Sequence, residues 1–341
     1  ADGFVFGLIS CAYLLLRKKV SATVQAGAIG LTAAVAYFLW RYSYYGYILP
    51  NTYYAKVSGP LSSRVLIGLA QLRDLSFRAG ILPYLLVIVI MLATVAQTWW
   101  KDRRVSWERV PIEGFLATCW IYYWLYIGGD HIAERMLLIL FPLGLAGLLR
   151  LLRTSATRQV SAFVVLLVVL IQLTPLSIDE RFEYSWTKYD MWITLGDFLS
   201  DGHAGEVLAI EAAGKVPYFS GMPTIDMLGL NDEYLAHKSV SFFSSGHNKY
   251  DADYVLGRKP DLIAAWINPD TLDMSWGLLR SKYEIAGYRI KYLVSCEEDL
   301  APGNVVEVLS WKPETIQAVT YRGFHYAVLA RLPSDTAPPR P

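Results

Sequence analysis

The sequence predicts a polytopic α-helical membrane protein of about six spans, followed by a C-terminal extracytoplasmic α/β domain. Composition is the first reason. Of the 341 residues, 54% are hydrophobic and 18% are charged, against about 25% charged in ordinary soluble domains. The second reason is a series of apolar runs in the first half. The third is a charge asymmetry hidden under an overall charge of +1. Residues 1–177 hold 16 Lys and Arg against 7 Asp and Glu, whereas residues 178–341 hold 15 against 23. The expected division is therefore a transmembrane domain over 1–177, an extracytoplasmic α/β domain over 178–332, and a proline-rich disordered tail over 333–341.

The apolar runs are Gly3–Leu16, Ala22–Trp40, Ala79–Trp100, Gly114–Ile127, Met136–Leu149 and Val160–Leu176. A bilayer asks for roughly 20 residues per helical span. Several runs fall short of that, and Pro142 should kink the fifth. Basic residues gather in alternate loops: Arg17 to Lys19, then Lys101 to Arg109, then Arg150 to Arg158. Short cytoplasmic loops carry such an excess. That places Arg41–Arg78, Gly128–Arg135 and everything after Leu176 on the outer face. Ala1 then also lies outside, and its charges follow the apolar core instead of preceding it, unlike a signal peptide. The expectation is a fragment that lacks at least one upstream span.

Two outer loops hold the residue types that chemistry needs. The first runs from Trp40 to Lys56, with six tyrosines, a Leu-Pro-Asn-Thr turn, and cations at Arg41 and Lys56. Interfacial anchoring accounts for many tyrosines. On a functional reading Arg41 and Lys56 hold an anionic lipid phosphate. Tyr45 and Tyr54 then offer faces to a sugar, and Asn51 an amide. Ser62–Leu75 is amphipathic and fits an interfacial helix. The second loop contains Gly128, Gly129, Asp130, His131, Glu134 and Arg135. Ionisable groups beside apolar spans are costly and point to function. Asp130, His131, Glu134 and Arg135 suit a base, an acid, a metal ligand or a phosphate clamp; a hydrated turn with a Glu134–Arg135 pair at a helix start is the structural alternative.

Beyond Leu176, strands are expected at Val207–Glu211, Pro260–Trp266, Tyr288–Val294, Val305–Trp311 and Tyr326–Leu332. Helices are expected at Asp190–Leu199 and Thr271–Ser281. Two polar clusters, Thr224–Asp232 and Gly246–Asp251, contribute Asp226, Asp232, His247 and Lys249 as candidate glycan-binding groups, with strand-end turns as the plain alternative. Three cysteines imply no disulfide framework. The acidic second half argues against nucleic acid.

Three strings in this order resemble a known family. They are Tyr44-Tyr45-Gly46 with Leu49-Pro50-Asn51-Thr52 and Tyr54-Ala55-Lys56, then Gly128-Gly129-Asp130 with Arg135. The third is Ala213 to Gly221 with Ile225 to Asp232 and Gly246-His247-Asn248-Lys249. The family is that of the bacterial GT-C membrane glycosyltransferases, to which the terminal beta-arabinofuranosyltransferase of actinobacterial cell-wall arabinan belongs. The resemblance implies an enzyme of the bacterial plasma membrane with a periplasmic C-terminal domain. It would move a sugar from a polyprenyl-phosphate donor to a cell-envelope glycan acceptor on the outer face, with no cofactor certain and a divalent cation possible. It also implies a principal catalytic acid upstream of Ala1, which leaves Asp130 as a supporting carboxylate. Competing classes are a transporter or flippase of lipid-linked sugars and a non-catalytic envelope scaffold. The charges gather at loop mouths, which favours the enzyme over the transporter.

Overall fold

The computed structural model describes residues 2–78, 121–130, 190–244, 247–296 and 304–333, together with positions 162 and 166. These fall in two compact units. The first is drawn from Ala1–Pro50, Lys56–Tyr184 and Ser241–Gly246; the second is drawn from Asn51–Ala55, Ser185–Val240 and His247–Pro341.

In the first unit, α1 (Asp2–Leu16) packs against α2 (Val20–Tyr45). Gly46 ends α2 in the left-handed region at φ 75°, and its N–H returns to the Tyr42 carbonyl at 2.9 Å. This is the glycine cap that helices commonly adopt. A short helix α3 (Asn51–Lys56) follows, then α4 (Leu61–Arg78) over the stretch expected to be an amphipathic helix. Ile121–Ile127 forms a π-helical segment that packs on α4.

The six-span architecture does not stand. Among the described residues one helix, α2, is long and apolar enough to cross a membrane: it has 26 residues, and an 18-residue stretch of it has a mean hydropathy of 1.5. Helix α1 has 15 residues, about 22 Å at 1.5 Å each, short of the roughly 30 Å hydrocarbon core. The last seven residues of the fourth run form the π-helical segment, and Trp124 within it is 1% exposed. The third and fifth runs, the rest of the fourth, and the sixth apart from positions 162 and 166 lie outside the described residues. The physical reason is that short apolar runs do not distinguish a span from a helix buried in a folded unit. Among the described residues, α2 is the one N-terminal apolar helix of the kind that serves as a membrane anchor or a signal sequence. A multi-pass topology is not supported.

The second unit is a six-stranded mixed sheet with helices on both faces. Its strands are β1 (Leu208–Ile210), β2 (Thr224–Asp226), β3 (Leu262–Trp266), β4 (Tyr288–Val294), β5 (Val305–Glu307) and β6 (Tyr326–Arg331), in the order β2-β1-β3-β6-β4-β5. β1 pairs in parallel with both β2 and β3, and the other pairings are antiparallel. One face packs on α5 (Met191–Gly202) and α6 (Lys215–Ser220), through Leu195, Leu199, Val216, Leu208 and Ile210. The other takes α8 (Ala252–Gly257), α9 (Arg280–Ile285) and α10 (Pro313–Thr320), through Val255, Tyr283 and Ile316. A short α7 (Glu233–His237) precedes α8. The connection from β1 to β2 therefore uses one face and that from β2 to β3 the other. This makes the β1–β3 boundary the place where the strand order of the sheet reverses.

Two expected elements differ here. Thr271–Ser281 is not a helix. Asn268 Oδ1 accepts the Asp270 and Thr271 amides, and Met274 bridges to Ile267 and Leu278. Gly277 turns at φ 77°, so α9 begins only at Arg280. Side chains that bond nearby amides compete with helix in this way. The strand expected to reach Trp311 stops at Glu307. The expected tail over 333–341 lies outside the described residues beyond Pro333.

Candidate functional site

In the first unit the structure joins two distant candidates. Lys56 Nζ donates to both Asp130 oxygens, at 2.9 and 3.0 Å. The Asp130 side chain is 2% exposed and that of Lys56 is 23%. Sequence puts 74 residues between them. The turn that carries Asp130 is held tightly. Gly128 and Gly129 sit at φ 89° and 82°, which side chains rarely adopt. The Asp130 amide donates to Gln71 Oε1 at 3.2 Å, and Arg64 Nη1 donates to the Tyr126 carbonyl at 2.6 Å. α4 approaches so closely that a Cβ on Gly68 would lie 1.8 Å from the Trp124 carbonyl oxygen. A Cβ on Gly128 would meet the Phe243 ring at 2.6 Å. Gln71, Arg64 and Phe243 were not legible as site residues, because nothing in their local pattern places them beside a loop about 60 positions away or more.

The other candidates of this half are dispersed. Arg41 Nη1 reaches Tyr37 Oη at 3.4 Å, and its guanidinium lies 5.0 Å from the Tyr45 ring, so it is held on its own helix. His131 and Arg135 lie outside the described residues. Asn51 starts α3, which belongs with the second unit through Ala55. There Tyr54 lies against His237, with ring centroids 4.2 Å apart.

The polar clusters of the second unit resolve largely into structural roles. Asp226 is buried at the end of β2, where its oxygens accept the Leu228 and Asn231 amides at 2.9 and 2.8 Å. Burial pushes its carboxyl above the usual range despite these amides. Asp232 caps α7 through the Leu235 amide and accepts the Tyr254 hydroxyl at 2.9 Å. Lys249 is buried, donates to the Ala236 carbonyl at 2.5 Å, and is held below the ordinary lysine range by that burial. His247 lies beside Trp276 at 5.9 Å. Among the described residues no three His, Cys, Asp or Glu converge to hold a metal ion.

One carboxylate is different. Glu211 directly follows β1 and is 8% exposed. The Ser275 hydroxyl donates to Oε2 at 3.4 Å and the Trp266 amide also donates to the carboxyl, but Oε1 is buried with no partner among the described residues. Burial pushes this carboxyl up to about 8, against both donors. The Tyr326 hydroxyl, fully enclosed at the start of β6, is likewise unpartnered among the described residues. Its ring packs edge-on against Trp192 and Trp266, at 5.1 and 5.3 Å. Glu211 entered the sequence reading only as the end of a strand. A carboxylate closing an apolar run before Ala212, Ala213 and Gly214 was the available signal.

With this geometry in hand, comparison with known proteins adds little about chemistry. No curated protein and no solved structure matches the chain. The profile of a family described as a domain of unknown function (DUF8728) matches residues 180–315, within which all of β1 to β5 and the Glu211 carboxyl fall.

Proposed function

We propose that the chain is a membrane-attached glycosyltransferase, drawing on a polyprenyl-phosphate sugar and delivering it to an envelope glycan, with Lys56 and Asp130 as its reacting pair. The observation that carries this reading is the enclosed ion pair on a turn braced by Gly68, Gln71 and Arg64. A buried charge pair is seldom retained for stability alone, since apolar replacements often do as well. Here the ammonium suits the phosphate of the donor. When it turns toward that phosphate, the Asp130 carboxylate is released to accept the proton of the acceptor hydroxyl, a larger role than the supporting one the sequence resemblance implies. The anomeric C–O bond to phosphate breaks, the bond to the acceptor oxygen forms, and the polyprenyl phosphate leaves with its charge compensated by Lys56. The apolar α2 suits a chain that must meet a donor dissolved in a bilayer. An outer-face, periplasmic setting follows from the family resemblance of the sequence strings.

The test is transfer from radiolabelled polyprenyl-phosphate sugars by the purified protein in lipid nanodiscs. Lys56→Gln and Asp130→Asn should each lower the rate by about 10²–10⁴-fold, the range typical of positioned acid–base groups. Folded variants that keep the wild-type rate, or a wild-type protein that transfers no sugar from a broad donor panel, would sink the reading.

A further inference from the structure

We propose that Phe243 is a positioning residue, the spacer whose side chain sets Lys56 against Asp130. Its role in a reaction rests on the transferase reading, but its geometry stands by itself. Phe243 lies in the connection between α7 and α8, outside any helix or strand, yet it is 7% exposed. Connecting segments ordinarily run over the surface, so an enclosed phenyl ring there is held by something specific. Residues 241–246 belong to the first unit, although the chain before and after them belongs to the second.

Two loops meet this one residue. At its root, a Cβ on Gly59 would lie 3.3 Å from the Phe243 Cβ and 2.6 Å from the Phe242 carbonyl oxygen. At its tip, a Cβ on Gly128 would lie 2.6 and 2.7 Å from the ring atoms Cε1 and Cζ. Glycine at both points lets the backbone rest directly on residues 242 and 243. Gly59 lies just past Lys56, the last residue of α3, and Gly128 just ahead of Asp130.

The loops that deliver the ion pair therefore bear on opposite ends of a single side chain. Close-packed interiors compress little and transmit displacement. The ring thus fixes the gap across which Lys56 Nζ meets the two Asp130 oxygens at 2.9 and 3.0 Å. Gln71 and Arg64 hold the Asp130 turn from α4, and Phe243 refers that turn to the Lys56 loop. A pair that must part around a phosphate and re-form needs such a reference. In an aligned site a misplacement of about 1 Å costs about 10²-fold in rate. Phe243 acts through the pair and not on the substrate.

The experiment uses the full chain in nanodiscs and two variants. Phe243→Leu keeps the root of the side chain at Gly59 and removes the ring tip at Gly128, whereas Phe243→Ala removes the whole ring. Acetylation of Lys56 by N-hydroxysuccinimide acetate, mapped by mass spectrometry, reads how firmly the ammonium is held. Hydrogen exchange of the Gly129 and Asp130 amides, which donate to the Tyr123 carbonyl and to Gln71 Oε1, reads the turn. In Phe243→Leu both rates should rise about tenfold while exchange in α2 and β3 stays unchanged. With a polyprenyl-phosphate sugar, kcat should fall about 10²-fold and KM stay within a few-fold. A ring that only filled space would change thermal stability and leave kcat per folded molecule unaltered. Unchanged Lys56 acetylation, or unchanged exchange at Gly129 and Asp130, in folded Phe243→Leu overturns the assignment whatever kcat does. If Phe243→Ala fails to fold, Phe243→Leu decides alone. Absence of sugar transfer by wild type would sink only the transferase reading, and the acetylation and exchange rates would still decide whether Phe243 spaces the pair.

Discussion

Glu211→Gln offers a quantitative test of how the second unit is built. The folded carboxyl titrates at about 8 and its ordinary value is 4.5. Below 4.5 both states hold the proton, and the stability is complete. Between 4.5 and 8 the unfolded chain releases the proton while the folded unit keeps it, so stability falls as pH rises. The slope is about 1.4 kcal/mol per pH unit, and the whole window is worth about 5 kcal/mol at most. Above 8 both states are ionised and the loss is complete. Glutamine has the same shape and no charge, so its variant should lack this slope and become the more stable protein near pH 8. Native-state hydrogen exchange of β1, β3 and β6 reads the effect, corrected for the intrinsic pH dependence of exchange. Parallel pH profiles for wild type and Glu211→Gln would refute the argument that an unpartnered, enclosed carboxyl sits after β1.

Three further outcomes follow from packing and pairing. Gly68→Ala should destabilise the first unit by about 3 kcal/mol or more, because the new methyl meets the Trp124 carbonyl with no room to relax; thermal unfolding in detergent measures it. Asp226→Ala should cost about 1–3 kcal/mol by stripping the buried Leu228 amide and the Asn231 amide of their acceptor, seen as faster exchange at Leu228 and Asn231. Lys56→Met alone should cost about 3–5 kcal/mol, whereas Lys56→Met with Asp130→Leu should recover most of it. A double variant no better than the single one would show that the pair is held by something other than mutual charge.

Legibility followed the length scale of each signal. β4 was readable to the residue, because Tyr288–Val294 is long and rich in β-branched and aromatic residues. α5 was readable from its apolar period over Asp190–Leu199, although Asp190 stands just before the helix as its cap. β2 was hidden because three residues, Thr224–Asp226, cannot display alternation. α10 was missed although Pro313 stands at its first turn, a known start signal. The membrane architecture was over-read from apolar runs, several of them no longer than a buried helix. Asp130 and Lys56 were each singled out by loop chemistry, but their pairing depends on tertiary contacts that no local pattern encodes. Glu211 was the reverse case: its neighbours in sequence are bland, and its environment exists only once β1, β3 and β6 are side by side.

The three enclosed carboxylates of the described residues show how such a group can be turned to use. Asp226 is saturated by the amides of its own turn, so any ligand would have to displace backbone, and the residue serves the turn. Asp130 is matched by a side chain, Lys56, and a side-chain ammonium can rotate toward an incoming phosphate at little cost to the fold. Glu211 is matched by neither, and its solution is to remain protonated. Those three states assign different chemistry to the same functional group. A carboxylate with a movable cation suits proton acceptance coupled to anion binding. A protonated carboxyl enclosed after β1 suits a structural role, which its ionisation weakens. The Lys56–Asp130 turn and the Glu211 carboxyl should therefore respond oppositely to their mildest substitutions. Asp130→Asn removes the charge on which its role depends and should abolish transfer, whereas Glu211→Gln preserves the neutral state and should leave the fold of the second unit intact at pH 6.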